Sequence, residues 1–159
     1  MKTAMMLALL CGSLYIAQAQ DRLQGQALEK AVQERTFTFY ANQALPLKGG
    51  VINLTDLSYT LKVMPDSLYA HLPYFGVAYV APMNPNEGGI HIKSGAYRYE
   101  LTRKKSGWHL TLFPTGSGDV YRMDLDMSTD GYASLYLIPN QREAISYAGI
   151  ISQSDNHKR

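Results

Sequence analysis

Three observations predict an all-β chain. Apolar and polar residues alternate with period two from Thr36 onward, the alternating runs are short, and clusters of turn-forming residues separate them. Short connections make neighbouring strands antiparallel, because a parallel pair needs a long crossover. About nine or ten such strands in sequence order form a mostly up-and-down antiparallel sheet, which curls into a barrel to bury its apolar face and manage its edges. The 159 residues fit one domain with a real core.

The first residues are not part of that sheet. Met1 and Lys2 precede a mostly apolar run, Ala4 to Ile16, followed by Ala17-Gln18-Ala19, the pattern of a secretory signal peptide with an A-x-A cleavage site. The run is too short to span a bilayer, which takes about 20 apolar residues. Cleavage after Ala19 removes Cys11, the single cysteine, so the mature chain rests on apolar packing without disulfides and without thiol chemistry. Residues 20–35 are predicted as a helical segment, with Leu23, Ala27, Leu28, Ala31 and Val32 on one face and Gly25 weakening its start. Residues 36–151 form the barrel, and 152–159 a disordered basic tail.

Within the barrel region, Phe37, Phe39 and Ala41 alternate with polar neighbours, and Pro46 with Gly49-Gly50 marks a loop. A strand is expected over 57–63, with Leu57, Tyr59, Leu61 and Val63 facing one way. Pro73 interrupts a pair of runs, 67–72 and 74–80, since it cannot donate to a ladder. A turn-rich loop over 82–89 leads into a regular meander with strands over 90–93, 96–103, 108–113, 120–127, 132–138 and 143–151. In the strand over 120–127, Tyr121, Met123, Leu125 and Met127 are expected on the apolar face, with Arg122, Asp124 and Asp126 on the wet one.

The titratable residues form no recognisable catalytic or metal-binding spacing. His71, His91, His109 and His157 lack metal-like partners in sequence, Gly116-Ser117-Gly118 has no helix after it to bind an anion, and no G-x-S-x-G elbow occurs. The formal charge of +2 at pH 7 exerts no long-range pull on nucleic acid. Tyrosine is the conspicuous residue, with 12 copies. Alternation places Tyr59, Tyr97, Tyr99, Trp108, Tyr121 and Tyr147 on the apolar side, where they form either a hydrogen-bonded core or the lining of a ligand cavity. Arg98, Arg122 and Arg142 on neighbouring elements offer either an anion-binding patch or, as the commoner outcome, ion pairs with Glu100, Asp124 and Glu143.

The densest local signal is Leu72-Pro73-Tyr74-Phe75-Gly76-Val77-Ala78-Tyr79. Together with Gly88-Gly89-Ile90, Gly131-Tyr132-Ala133, Asn140 to Arg142 and Ile145-Ser146-Tyr147-Ala148-Gly149-Ile150, it resembles the domain of unknown function DUF4251, over about 37–151. That family is typical of exported Bacteroidetes proteins and often carries arginine where Val77 stands. The resemblance implies a signal peptide and a lipocalin-like β-barrel, with no assigned activity or catalytic residues.

The expectation is therefore an exported, periplasmic or extracellular, non-catalytic binding module with an aromatic-lined barrel or barrel mouth. Its partner is a small or extended ligand, with no cofactor, metal, nucleic acid or transmembrane segment in the mature chain. Its site residues are Tyr74, Phe75, Tyr79, Tyr97, Tyr99 and Tyr147. The alternative is a cell-envelope interaction domain with a filled barrel core. An enzyme would need His91, His109 and a carboxylate to converge.

Overall fold

The computed structural model describes residues 22–79, 88–116, 118 and 120–154. Helix α1 (Gly25–Glu34) precedes strands β1 (Phe37–Pro46), β2 (Ile52–Asn53), β3 (Thr60–Val63), β4 (Leu68–Leu72) and β5 (Ile90–Ser94). Strands β6 (Tyr97–Lys104), β7 (Gly107–Pro114), β8 (Val120–Ser128), β9 (Tyr132–Pro139) and β10 (Ile145–Gln153) follow. The signal-peptide region, most of the 82–89 loop and the chain from Asp155 lie outside the described residues. Strand β10 runs to Gln153, where Ser152 and Gln153 pair with Thr38 and Phe37, so ordered structure continues past residue 151.

All the strands join one sheet in the order β5-β4-β3-β1-β10-β9-β8-β7-β6, with β2 paired to the far end of β1. Each described ladder is antiparallel. Along that order the directions alternate, so the two edges, β5 and β6, run the same way. Only Gly95 and Ala96 separate them in the chain. The edges therefore behave as one strand bent in the middle, its first half bonded to β4 and its second to β7. The barrel closes through the covalent chain where it does not close through hydrogen bonds. Ser94 fixes the bend. Its hydroxyl faces the carbonyls of Ala96 at 2.5 Å and Thr115 at 2.7 Å and accepts from the Thr115 amide at 3.2 Å.

Helix α1 seals the barrel beside β6. Leu28, Ala31 and Val32 are buried in the core, and the outer side of the helix reaches β6 through Glu29 and Arg103, 3.2 Å apart. Arg35 ends the helix in the left-handed region (φ 55), its amide bonding the carbonyls of Ala31 and Val32. Its guanidinium then lies 4.5 Å from the ring centre of Tyr99.

The interior is packed. Phe37, Phe39, Leu61, Leu72, Ile90, Leu110, Leu112, Met123, Leu125 and Tyr147 are fully buried members of one contiguous apolar cluster that runs from the helix through every long strand except β6. Of the two readings of the inward aromatics, the described core matches the filled one: Trp108 and Tyr147 are buried within it, and Tyr59 and Tyr97 pack half-buried against it.

Three local expectations are corrected. The strand over 57–63 begins only at Thr60, because Asp56 accepts a hydrogen bond from the Ser58 amide at 2.8 Å and forms a turn that leaves Leu57 66 % exposed. Tyr121 is 62 % exposed, because a register shift between Val120 and Arg122 turns it to the outer face, where it meets Phe113 edge-on. The run 74–80 gives no strand among its described residues, only the isolated bridge from Ala78 to Arg142.

Candidate functional site

Strand β4 delivers the chain to Pro73, and from there Tyr74 to Tyr79 forms a strap across the barrel end toward the β9–β10 connection. The Glu143 amide bonds the Val77 carbonyl at 3.0 Å, and the Tyr79 amide bonds the Gln141 carbonyl at 2.9 Å. These bonds flank the Ala78–Arg142 bridge and make a short antiparallel pair outside the main sheet.

Two tyrosines hold the strap from below. Tyr147, buried on β10, donates its hydroxyl to the Pro73 carbonyl at 2.6 Å. Tyr74 turns back beneath the strap, its hydroxyl 3.0 Å from both the Val77 and the Glu143 carbonyls. Gly76 makes this possible, since a Cβ there would lie 2.7 Å from the Tyr74 hydroxyl oxygen. Arg142 completes the latch by donating to the Gly89 carbonyl at 3.0 Å and lying over the Tyr74 ring at 5.2 Å. Burial raises the Tyr147 phenol well above its usual range, helped by nearby Tyr74. Burial also raises Tyr74, with the Glu143 charge adding to it. Both stay protonated donors at neutral pH.

The side chains left facing outward on the strap are Phe75, Val77 and Tyr79, exposed by 36 %, 50 % and 68 %. Of the residues expected to form a site, Tyr74, Phe75, Tyr79 and Tyr147 thus meet at the barrel mouth. Tyr147 and Tyr74 do so as supports, and Phe75 and Tyr79 as surface. Tyr97 and Tyr99 belong to a different place. They sit on β6 beside Arg35, and Tyr97 donates to the Met64 carbonyl at 2.6 Å. Burial outweighs the nearby Arg35 charge and raises the Tyr97 phenol.

The acidic pair on β8 forms a second polar constellation, on the outer face of the sheet. Asp124 is 7 % exposed, accepts from the Thr111 hydroxyl at 2.8 Å, and meets Arg122 at 2.8 Å. Asp126 meets Lys104 at 2.6 Å and His109 Nδ1 at 2.9 Å. Burial works against the Asp126 charge, but the hydrogen bonds from Lys104 and His109 outweigh it and hold the carboxyl below its ordinary value. His91 does not join this group: its ring stacks on His71 at 4.8 Å, across the β4–β5 ladder. Of the three arginines, Arg122 pairs with Asp124 as expected, whereas Arg142 belongs to the latch and Arg98 lies over Phe113 at 4.2 Å.

The latch partners were not visible as a set in the sequence. Val77 and Glu143 are 66 positions apart in the chain, and what joins them is a carbonyl and an amide, which carry no residue signature.

A nearly closed antiparallel barrel with a short helix against its open side, strapped at one end, defines the structural class. Within that class the chain belongs to the family described as domain of unknown function (DUF4251), whose model matches residues 19–151. Among solved structures it is similar to a DUF4251 family protein from Bacteroides eggerthii DSM 20697, at 16 % identity and a TM-score of 0.60, with 79 % of this chain and 84 % of that chain covered. That likeness supports the fold. No curated protein matches the sequence.

Proposed function

We propose that the protein is an exported, non-catalytic binding module that recognises its partner at the strapped barrel mouth. The observation that carries this reading is the exposure of Phe75, Val77 and Tyr79 on a segment held by buried tyrosine hydroxyls and backbone bonds. Exposed apolar side chains on a fixed backbone bind with little ordering cost, the economy that preorganised interfaces use. A packed interior favours an extended or macromolecular partner lying on the mouth over a small molecule held inside.

A non-catalytic role accords with the outer-face network, in which Asp124 and Asp126 each already engage a cation and a further polar side chain. Export is supported by the apolar run and Ala17-Gln18-Ala19 at the start of the sequence. N-terminal sequencing of the chain recovered from an exporting cell is expected to read from Gln20, and a chain still beginning at Met1 would refute processing.

The binding reading is tested by immobilising the wild-type chain and a Phe75→Ala/Tyr79→Ala double variant and exposing both to envelope extract. A partner retained by the wild type and lost by a folded double variant supports it; equal retention overturns it. The second reading, an envelope interaction domain acting through another face, is favoured by the filled core and predicts that equal retention.

A further inference from the structure

On the outer face of the barrel, away from the strap, a hollow of about 490 Å³ opens where β1, β2, β9 and β10 lie side by side. Register places Ser134 opposite Ala148, Ala148 opposite Gln43, and Gln43 opposite Asn53. Small residues, Ala148 and Gly149, thus form the floor, a wall of carboxamides stands on one side, and Tyr132 stands on the other. The register shift between Ala41 and Gln43 adds Asn42 to the carboxamide wall. The volume falls within the range of small-molecule sites, about 300–1,000 Å³.

The chemistry of the lining is specific. Gln43 Nε2 donates to Asn53 Oδ1 at 3.1 Å, which holds the two amides together and leaves one carbonyl acceptor and one NH₂ donor side by side. Reversing both amides leaves the same pair. Arg22 lies over the Tyr132 ring at 4.1 Å and steadies it, while the residue remains 57 % exposed. None of the described lining residues is Asp, Glu, Lys or Arg. Past Tyr132 the depression continues into a second hollow of about 420 Å³, lined by Ser106, Ser128 and Ser134 and by Lys104 and Asp126, whose charges meet at 2.6 Å.

We infer that this groove binds a neutral oligosaccharide. A sugar ring presents an apolar C–H face, which suits Tyr132 and the alanine-glycine floor, and a rim of hydroxyls that each donate and accept, which suits the exposed donor–acceptor pair of Gln43 and Asn53. A charged ligand would find no charged side chain lining the first hollow, while in the second Lys104 and Asp126 already meet each other at 2.6 Å and Arg22 is committed to the Tyr132 ring. An extended peptide would find no free backbone partners on the floor, because β1, β9 and β10 spend theirs on one another, and peptides add at sheet edges. Two hollows divided by one aromatic ridge suit a chain of more than one sugar unit.

The test screens the full chain on an array of neutral and acidic oligosaccharides and titrates the strongest binder calorimetrically. The expected result is a neutral oligosaccharide whose affinity falls at least about tenfold in Tyr132→Ala and in Asn53→Ala. Both positions are exposed, and unchanged circular dichroism confirms that the variants fold. Phe75→Ala/Tyr79→Ala retains the sugar, which separates this groove from the strap. Absence of any oligosaccharide binding, preference for acidic sugars, or binding that survives both groove variants overturns the inference.

Discussion

Gly149 carries one of the tightest demands in the chain. It sits on β10 opposite Ala41, where the β1 register shifts, and a Cβ there would run into the Tyr40 carbonyl oxygen and crowd the Phe39 ring. Both obstacles belong to the barrel wall and cannot swing aside, so Gly149→Ala is expected to cost about 1–3 kcal/mol, the usual penalty of overpacking. Urea denaturation checks it, and an unchanged midpoint would show that β1 yields. Tyr147 makes the opposite demand, that its hydroxyl be kept. Tyr147→Phe leaves the Pro73 carbonyl without that donor and is expected to cost about 1–3 kcal/mol. The same substitution has a pH signature. The folded phenol titrates above its unfolded value of 10.0, so its stabilisation is complete below that pH and is lost as pH rises through the folded value. Wild-type stability should therefore decline above about pH 10, by up to about 1.4 kcal/mol per pH unit for each such tyrosine. Tyr147→Phe should reduce that slope, leaving the part due to Tyr74 and Tyr97. A slope identical in the two proteins would show that Tyr147 contributes nothing to it.

At the level of elements, helix α1 shows which of its contacts matter. Leu28 is fully buried, whereas Glu29 and Arg103 meet with side chains about half exposed to water. Leu28→Ala is expected to cost about 2–5 kcal/mol, while a double-mutant cycle on Glu29 and Arg103 should return less than about 1 kcal/mol. Comparable values for the two would mean that the helix is held from outside rather than by its apolar stripe. That stripe was legible in the sequence because Leu28, Ala31 and Val32 recur at helical spacing, and most strands were legible because alternation is local. The element-level misses share one cause. The Asp56 turn, the β8 shift that exposes Tyr121 and the β1 shift beside Gly149 each depend on a neighbouring strand or a side-chain-to-backbone bond. Alternation reports where a side chain points only until an extra residue reverses the phase. The strap was legible as a dense aromatic segment with Pro73 and Gly76 in it. The division of its tyrosines into supports and surface was not, because it depends on where Glu143 and Tyr147 return in space. The groove around Tyr132 left still less trace, since its wall comes from a bulge and its floor from small residues on other strands.

For the molecule as a whole, the decisive arrangement is the pairing of the first long strand with the last. β1 and β10 share nine register pairs, from Phe37 with Gln153 to Pro46 with Ile145. The sheet as a whole cannot be completed until both ends of the barrel region are present. The other closure, between β5 and β6, has no ladder and depends on the bend at Gly95–Ala96, so the barrel has one strong seam and one weak one. Ser94 is buried at 2 % exposure in the weak seam, and its hydroxyl is the side-chain link between the bend and the end of β7. Ser94→Ala removes a methyl-sized polar group without opening a large cavity, so packing loss is small and the cost is that of buried carbonyls left short of a donor, about 1–3 kcal/mol. If the seam opens as a unit, that loss should appear as faster amide exchange in β5 and β6 before it appears in the β1–β10 pair, whose opening requires global unfolding. Hydrogen exchange on wild type and Ser94→Ala measures both regions together. Acceleration confined to β5 and β6 identifies the bend as the place where this barrel yields first, and uniform acceleration across all strands would show that the sheet opens only as a whole.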